Sequence, residues 1–289
     1  MTHTPGTTSQ SVPLVRLLDG REIPQVGVGV FQVPPEETAD NVATALGIGY
    51  RHVDGAQMYR NEAEVGEGLR RSGLSRDEVW LTSKLGNGAH RPDDARAAVD
   101  RSLEQLGTDH LDLLLIHWPL PTRYDGDFVT TWRVLEELKE AGKARSIGVS
   151  NFEVAHLEAL ADAGTEAPVV NQVECHPYLA NDEVRRYCRE HGIVVEAWSP
   201  IAQGGVLDDP VVTDIAEAHG RSAAQVVLRW HVQEGHVVFP KSVTTSRLEE
   251  NIALFDFSLD DDQMARISAL DKGEDGRTGP HPEEFDHVG

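Results

Sequence analysis

The sequence predicts an α/β fold, a (β/α)8 TIM barrel with an N-terminal β-hairpin and an extra C-terminal helix and tail. Three observations predict it. Short apolar runs alternate with helix-patterned stretches along the chain, which calls for a parallel sheet. The runs end repeatedly on a polar, chemically capable side chain: Asp54, Lys84, His117, Ser150 with Asn151, Gln172, Trp198, and Lys241 with Ser242. The intervals along that series, 30, 33, 33, 22, 26 and 43 residues, are the lengths of strand–helix units. A closed barrel gathers the carboxyl ends of its strands around one mouth, where barrel sites lie. An open doubly wound sheet would not bring all of them around one centre.

Taken in order, residues 1–11, "MTHTPGTTSQS", are polar and small and read as a disordered tail. Residues 12–289 read as one barrel domain, because no linker divides them. "LVRLLDGREIPQV" is a hairpin turning at Asp19-Gly20. The strands are "QVGVGV", "RHVD", "VWLTSK", "LDLLLIHW", "ARSIGVSN", "VVNQVE", "IVVEAW" and "HVVFPKS". After "RHVD" a helix starts with Asn61 as cap and Glu62 and Glu64 in its first turn. "RPDDARAAVDRSLEQLG" has Pro92 near its start, Ala95, Val99, Leu103 and Leu106 at helical spacing, and Gly107 as its stop. "DFVTTWRVLEELKEAG" puts Trp132, Leu135 and Leu138 on one face. Ser222 with Gln225, and Ser246 with Glu249, fit capping boxes. "SLDDDQMARISAL" is an extra helix before the tail "GEDGRTGPHPEEFDHVG".

Composition narrows the function classes. The 289 residues are 39% hydrophobic, ample for a core and normal for a barrel of about 250 residues. Lys and Arg total 26 against 48 Asp and Glu, a formal charge of −22. Such a surface disfavours nucleic acid and anionic membrane as partners. Cys175 and Cys188 are the only cysteines, which points to a reducing compartment and structural thiols. The start has no signal-peptide pattern and no run reaches the roughly 18 apolar residues of a membrane span, so a cytoplasmic protein is expected. "GVGVFQ" fails the last position of a dinucleotide fingerprint, which disfavours a Rossmann site.

Asp54, Lys84 and His117 end the second, third and fourth strands, neighbours about 4.8 Å apart. Tyr59 lies five residues past Asp54, at most roughly 17 Å away, and must loop back over the mouth to join them. A lysine ammonium beside a phenol favours the phenolate and is expected to lower its pKa from about 10. An aspartate beside that lysine keeps it charged, and a histidine can donate a hydrogen bond to a substrate oxygen. Together they make a general acid aimed at a carbonyl.

This constellation resembles the aldo-keto reductase superfamily. The resemblance is carried by "HVDGAQMYRNEAEVG", "LTSKL", "LLIHWPLP", "IGVSNF", "NQVECHPYL", "EAWSPIAQGG" and "FPKSVTTSRLEENIALFDF". The tail "GRTGPHPEEFD" looks most like the bacterial branch that includes 2,5-diketo-D-gluconate reductases. The resemblance implies an NADPH-dependent oxidoreductase that reduces aldehydes or ketones, of keto-sugar or small dicarbonyl type, with Asp54, Tyr59, Lys84 and His117 as tetrad and no metal. It implies that Ser150, Asn151 and Gln172 hold the nicotinamide carboxamide and that Trp198 stacks on the ring. Ser199, Ile201 and Gln203 would follow the pyrophosphate, with Gly29 also at the cofactor. Lys241, Ser242 and Arg247 would take the 2′-phosphate, with Glu250 and Asn251 near the adenine. Phe31 and Trp118 would line the substrate pocket, with Gln203 to Leu207 as a wall and the tail as a flap. A monomer is expected.

Each residue alone has a plainer reading: His117 as a core histidine, Asp54 as a strand-end cap, Trp198 as core, Lys241 and Arg247 as a solvated helix start. Joint placement in family order favours the site. Gly55 and Gly86 depart from the family pattern; Gly86 suggests a wider pocket. The sequence leaves two rival functions open. One is a non-catalytic NADPH-binding regulatory barrel; the other is a Schiff-base lyase using Lys84.

Overall fold

A computed structural model describes residues 12–288. The tail expected at 1–11 lies outside the described residues. The hairpin pairs β1 (Leu14–Arg16) with β2 (Glu22–Pro24) antiparallel. It turns at Gly20, whose φ of +85° suits a residue without Cβ. Leu17 and Ile23 from the hairpin pack with Leu113, Leu115, Val170 and Val237, plugging the amino-terminal end of the sheet.

Eight parallel strands follow: β3 (Val28–Gly29), β4 (His52–Asp54), β5 (Trp80–Leu85), β6 (Leu111–Ile116), β7 (Ala144–Ser150), β8 (Val170–Glu174), β9 (Val194–Trp198) and β10 (Val237–Val238). Each pairs with its sequence neighbour. The ring closes where Val26 bridges Val238 in parallel and the Gly27 N–H donates to the Val238 carbonyl at 2.8 Å. At that seam a Cβ on Gly29 would stand 2.9 Å from the Phe239 carbonyl oxygen, so a glycine lets the two edges meet. The predicted barrel is therefore the observed one.

Helices α1 (Pro35–Ile48), α2 (Glu62–Ser72), α3 (Pro92–Leu106), α4 (Phe128–Glu140), α5 (Val154–Asp162), α6 (Asp182–Glu190), α7 (Pro210–His219), α8 (Ala223–Gln233), α9 (Thr245–Ile252) and α10 (Asp261–Ser268) follow in chain order. Their apolar faces and the outward strand side chains form the main core, with Val99, Leu103 and Leu106 of α3 and Trp132, Leu135 and Leu138 of α4 buried as the spacing predicts. Among the described residues, no helix is long and apolar enough to cross a membrane.

Two local expectations fail. Asn61 precedes α2 but makes no side-chain cap; its Nδ2 donates instead to the carbonyls of Val30 and Val33 at 3.1 and 3.3 Å. It ties the loop after β3 to the loop after β4, a longer-range use of the same amide. The box at Ser246 and Glu249 is absent, because α9 starts at Thr245 with Thr244 before it. The Ser222–Gln225 box forms as expected.

Candidate functional site

Four polar side chains meet at the carboxyl end of the strands. Lys84 lies in β5, wholly buried, and its Nζ donates to both Asp54 oxygens at 2.9 and 2.8 Å. It also donates to the Gly55 carbonyl at 2.9 Å and to the Tyr59 hydroxyl at 3.3 Å. A carboxylate and an ammonium this deep in the protein are tolerable only as a paired, hydrogen-bonded unit. Burial pulls the Lys84 pKa down most strongly, but the charges of Asp54 and Tyr59 and the hydrogen bonds to both together outweigh it, and the net direction is up. The ammonium is therefore kept charged.

Tyr59 comes back over the mouth on a single 3-10 turn, Gln57–Tyr59, and the chain leaves through Arg60 at φ +58°. The Tyr59 ring lies edge-on to His117 at 5.8 Å between centroids and 5.0 Å from Phe31, which is 55% exposed. The expected lowering of the phenol pKa does not occur in this state. Burial raises it, and although Lys84 pulls it down, the Asp54 charge raises it further. The ammonium is closer to Asp54 than to the phenol, so much of its charge is already answered. Burial, then the Lys84 charge, hold His117 well below the usual imidazole range, so it is neutral. Neither of its ring nitrogens has a hydrogen-bond partner among the described residues, and Nδ1 is fully buried.

A shell the sequence reading missed holds this group in place. Glu62 is buried and accepts from Ser83 Oγ at 2.6 Å and Ser102 Oγ at 2.8 Å. Ser102 Oγ accepts in turn from Gln57 Nε2 at 3.0 Å, and Gln57 Oε1 accepts the Gly86 N–H at 2.7 Å. The turn that carries Tyr59 is thus braced on α3 and on the end of β5. This corrects the wider pocket expected at Gly86: that glycine is buried, and Gln57 Oε1 stands 3.1 Å from where its Cβ would be. At Gly55, by contrast, a Cβ would meet nothing closer than 3.5 Å.

Gln172, Ser150 and Asn151 lie together on the next two strands. Gln172 Nε2 donates to Asp54 Oδ1 at 2.9 Å and to Glu196 Oε2 at 2.8 Å. Asn151, at φ +62°, donates to the His117 carbonyl and accepts from Trp198 Nε1 at 2.8 Å. Ser150 Oγ donates to the Gln172 carbonyl at 2.9 Å. Trp198, half-buried, ends β9 beside them, and the tail lies against it: a Cβ on Gly279 would be 2.4 Å from its ring.

Ser199, Ile201 and Gln203 follow on a loop with φ of +49° at Ser199 and +53° at Gln203. The loop is anchored from below by a hydrogen-bond chain. Arg185 Nε donates to His236 Nε2 at 3.1 Å, His236 and His231 meet through Nδ1 at 3.0 Å, and His231 Nε2 reaches the Pro200 carbonyl at 3.0 Å. Cys175, His231 and His236 come within 4.8 Å of one another, the spacing of a metal cluster. Every ring nitrogen is already engaged and the Arg185 cation stands beside them, so the chain of hydrogen bonds accounts for the cluster.

Lys241 and Arg247 are exposed beside α9, without a salt-bridge or side-chain hydrogen-bond partner among the described residues. Ser242 Oγ accepts the Thr244 N–H at 3.1 Å, while Asn251 is buried and Glu250 half-buried on the same helix. The tail closes over the far side. Phe285 packs on Trp118 at 4.2 Å, Asn87 Nδ2 donates to the His287 carbonyl at 2.8 Å, and Arg123 pairs with Asp286 at 3.0 Å. Buried Glu174 accepts from the Thr278 N–H at 2.7 Å and the Gly279 N–H at 3.0 Å. Gln203 Nε2 reaches Thr278 Oγ1 at 3.3 Å, so the loop and the tail touch.

The profile of the aldo/keto reductase family matches residues 25–272. An aldo-keto reductase of Mycobacterium sp. (strain KMS) is 49% identical over 277 residues, covering 96% of this chain and 99% of the relative. A glyoxal reductase of Bacillus subtilis (strain 168) is 48% identical over 272 residues, covering 94% and 96%. Among solved structures, an aspartate-to-alanine mutant of Gox0644 in complex with NADPH superposes with a TM-score of 0.90 at 44% identity, covering 94% of this chain and 98% of that one.

Proposed function

The chain belongs to the aldo/keto reductase family, and on that premise we propose that it reduces small aldehydes and α-dicarbonyls with NADPH, Tyr59 giving the proton. One observation carries the reading: Lys84 Nζ donates to the Tyr59 oxygen at 3.3 Å while clamped by both oxygens of Asp54. With its oxygen accepting from the ammonium, the phenol has its own O–H to donate towards the mouth.

The donor set suits the cofactor. Two exposed cations, Lys241 and Arg247, stand unpaired in a chain of net charge −22, which is the chemistry a 2′-phosphate needs. Gln172 Oε1 accepts no hydrogen bond from the described residues, leaving an acceptor for a carboxamide N–H beside Ser150, Asn151 and the ring of Trp198. Ser199, Ile201 and Gln203 would lie along the pyrophosphate, with Ser242, Glu250 and Asn251 towards the adenosine and Gly29 at the barrel seam. NADPH, when bound, supplies the hydride for the carbonyl carbon.

The residues of the chain do the rest. Neutral His117 orients the carbonyl oxygen through a ring N–H, and Phe31 and Trp118 flank it. As charge builds on that oxygen, Tyr59 O–H releases its proton to it. A phenol raised by burial keeps its proton until then, and the Lys84 ammonium steadies the phenolate left behind. Asp54 keeps Lys84 charged. That same charge makes Lys84 a poor Schiff-base nucleophile, since a neutral amine is needed there. The small-dicarbonyl class follows the glyoxal reductase relative.

The test is Tyr59→Phe. Turnover of glyoxal-type substrates should fall by about 10²–10⁴, the usual weight of a positioned acid, while NADPH affinity stays within about twofold. A Phe variant that still turns over at the parent rate removes the proton-donor role. Stoichiometric NADPH binding without consumption over a broad carbonyl panel would favour the regulatory reading instead.

A further inference from the structure

We propose that Glu196 is a positioning residue that fixes the amide of Gln172, so that the pocket presents a carbonyl oxygen to the cofactor and accepts a carboxamide but not a carboxylate at the nicotinamide position. The inference rests on the reading above that Gln172 meets that carboxamide.

Glu196 stands in β9 directly across the ladder from Gln172 in β8. It is wholly buried, and nothing in the proton transfer uses it. Gln172 Nε2 has two hydrogens and two acceptors, Asp54 Oδ1 at 2.9 Å and Glu196 Oε2 at 2.8 Å. Both N–H groups are spent inward, so only Oε1 is left to face outward. A flipped amide would put Oε1 about as close to Asp54 Oδ1 as Nε2 is now, acceptor against acceptor. Asp54 therefore opposes the flip, and Glu196 holds the second N–H, which would otherwise be free to swing outward.

The arrangement is kept at a cost that packing alone would not require. Glu196 Oε1 is buried without a partner, and an apolar side chain in the same strand would avoid that penalty. Burial, then the Asp54 charge, push the Glu196 carboxyl up to about 8, so at neutral pH it is an uncharged acceptor. The Lys84–Asp54 pair keeps its balance, and Glu196 acts through the amide.

The experiment measures equilibrium binding of NADP+ and of its nicotinic acid counterpart, which carries a carboxylate in place of the carboxamide. Titration calorimetry is run on the parent protein, Glu196→Gln, Glu196→Leu and Gln172→Ala, with 2′-phospho-ADP-ribose as a probe of the remote half of the site. The parent should prefer NADP+ by at least about tenfold, the size of one well-placed hydrogen bond. Glu196→Leu leaves one Gln172 N–H without its partner and free to swing outward, so the preference should shrink by about five- to tenfold while 2′-phospho-ADP-ribose binds as before. Glu196→Gln keeps an acceptor in place and should restore the preference to within about twofold of the parent. Should the leucine variant not fold, Glu196→Thr, too short to reach Gln172, takes its place with the same expectation. A leucine or threonine variant that keeps the full preference overturns the proposal. If Gln172→Ala also keeps it, the underlying assignment of Gln172 to the carboxamide falls too; if Gln172→Ala loses it, only the role of Glu196 falls.

Discussion

At Glu196 one side chain couples acidity to folding. Burial pushes its carboxyl from 4.5 to about 8, whereas the unfolded chain ionises it in the ordinary carboxylate range. The pKa is raised on folding, so the stability tied to it is fully present below the unfolded value. It is lost progressively as pH climbs through the folded one. At about 1.4 kcal/mol per pH unit, the interval from 4.5 to about 8 corresponds to at most about 5 kcal/mol. Glu196→Gln cannot ionise, and the other titrating groups are common to both proteins. The stability of the glutamine variant relative to the parent should therefore rise between about pH 5 and 8 and level off above. Thermal melts across that range read it directly, and a flat difference would mean that the folded carboxyl titrates like the unfolded one.

Among the helices, α2 is held at close quarters on two sides. It crosses its neighbours on glycine: a Cβ on Gly66 would lie 2.5 Å from the Leu106 carbonyl oxygen of α3, and one on Gly68 would lie 2.7 Å from Val42 Cβ of α1. Gly47, near the end of α1, faces open space. Gly66→Ala should therefore destabilise by about 1–3 kcal/mol through forced backbone separation, while Gly47→Ala should stabilise by about 0.5–1 kcal/mol. Urea midpoints at unchanged slope distinguish the two. Because Glu62 at the head of α2 holds Ser83 and Ser102 beside the Tyr59 turn, the Gly66 variant should also lose turnover. The elements that position the site were legible in the sequence because the strands after the first are short apolar runs that lead into a polar, chemically capable residue. The polar side chains inside those runs were not. Glu196 in "IVVEAW" and Glu174 in "VNQVE" look like strand punctuation until the ring closes and turns them inward. Asn61 had the sequence look of a cap, and only the neighbouring loop after β3 gave its amide a better partner. Gly86 looked like empty space because nothing in sequence shows that Gln57, far along the chain, folds back to fill it.

For the whole molecule the question is how a chain of net charge −22 attracts a multiply charged anion. At about 0.01 M salt the Debye length is about 30 Å, so an approaching NADPH feels the full acidic surface; at about 0.15 M it is about 8 Å, and only nearby charges count. Lys241 and Arg247, exposed and without a partner among the described residues, are the nearby charges at the proposed 2′-phosphate position. Salt in this range should screen the distant repulsion more than the close attraction. The NADPH association rate should therefore rise from 0.01 to about 0.15 M salt, contrary to the usual behaviour of a basic site. Thermal stability should rise over the same range as self-repulsion is screened. Arg247→Glu tests the local half of the argument: NADPH affinity should fall by about tenfold or more, the weight of a charged phosphate contact, and NADH affinity by less than about twofold. Equal losses for both cofactors would show that Arg247 acts through the general field rather than on the 2′-phosphate. A parent association rate that falls with salt would show the two cations outweighing the rest of the surface even at long range.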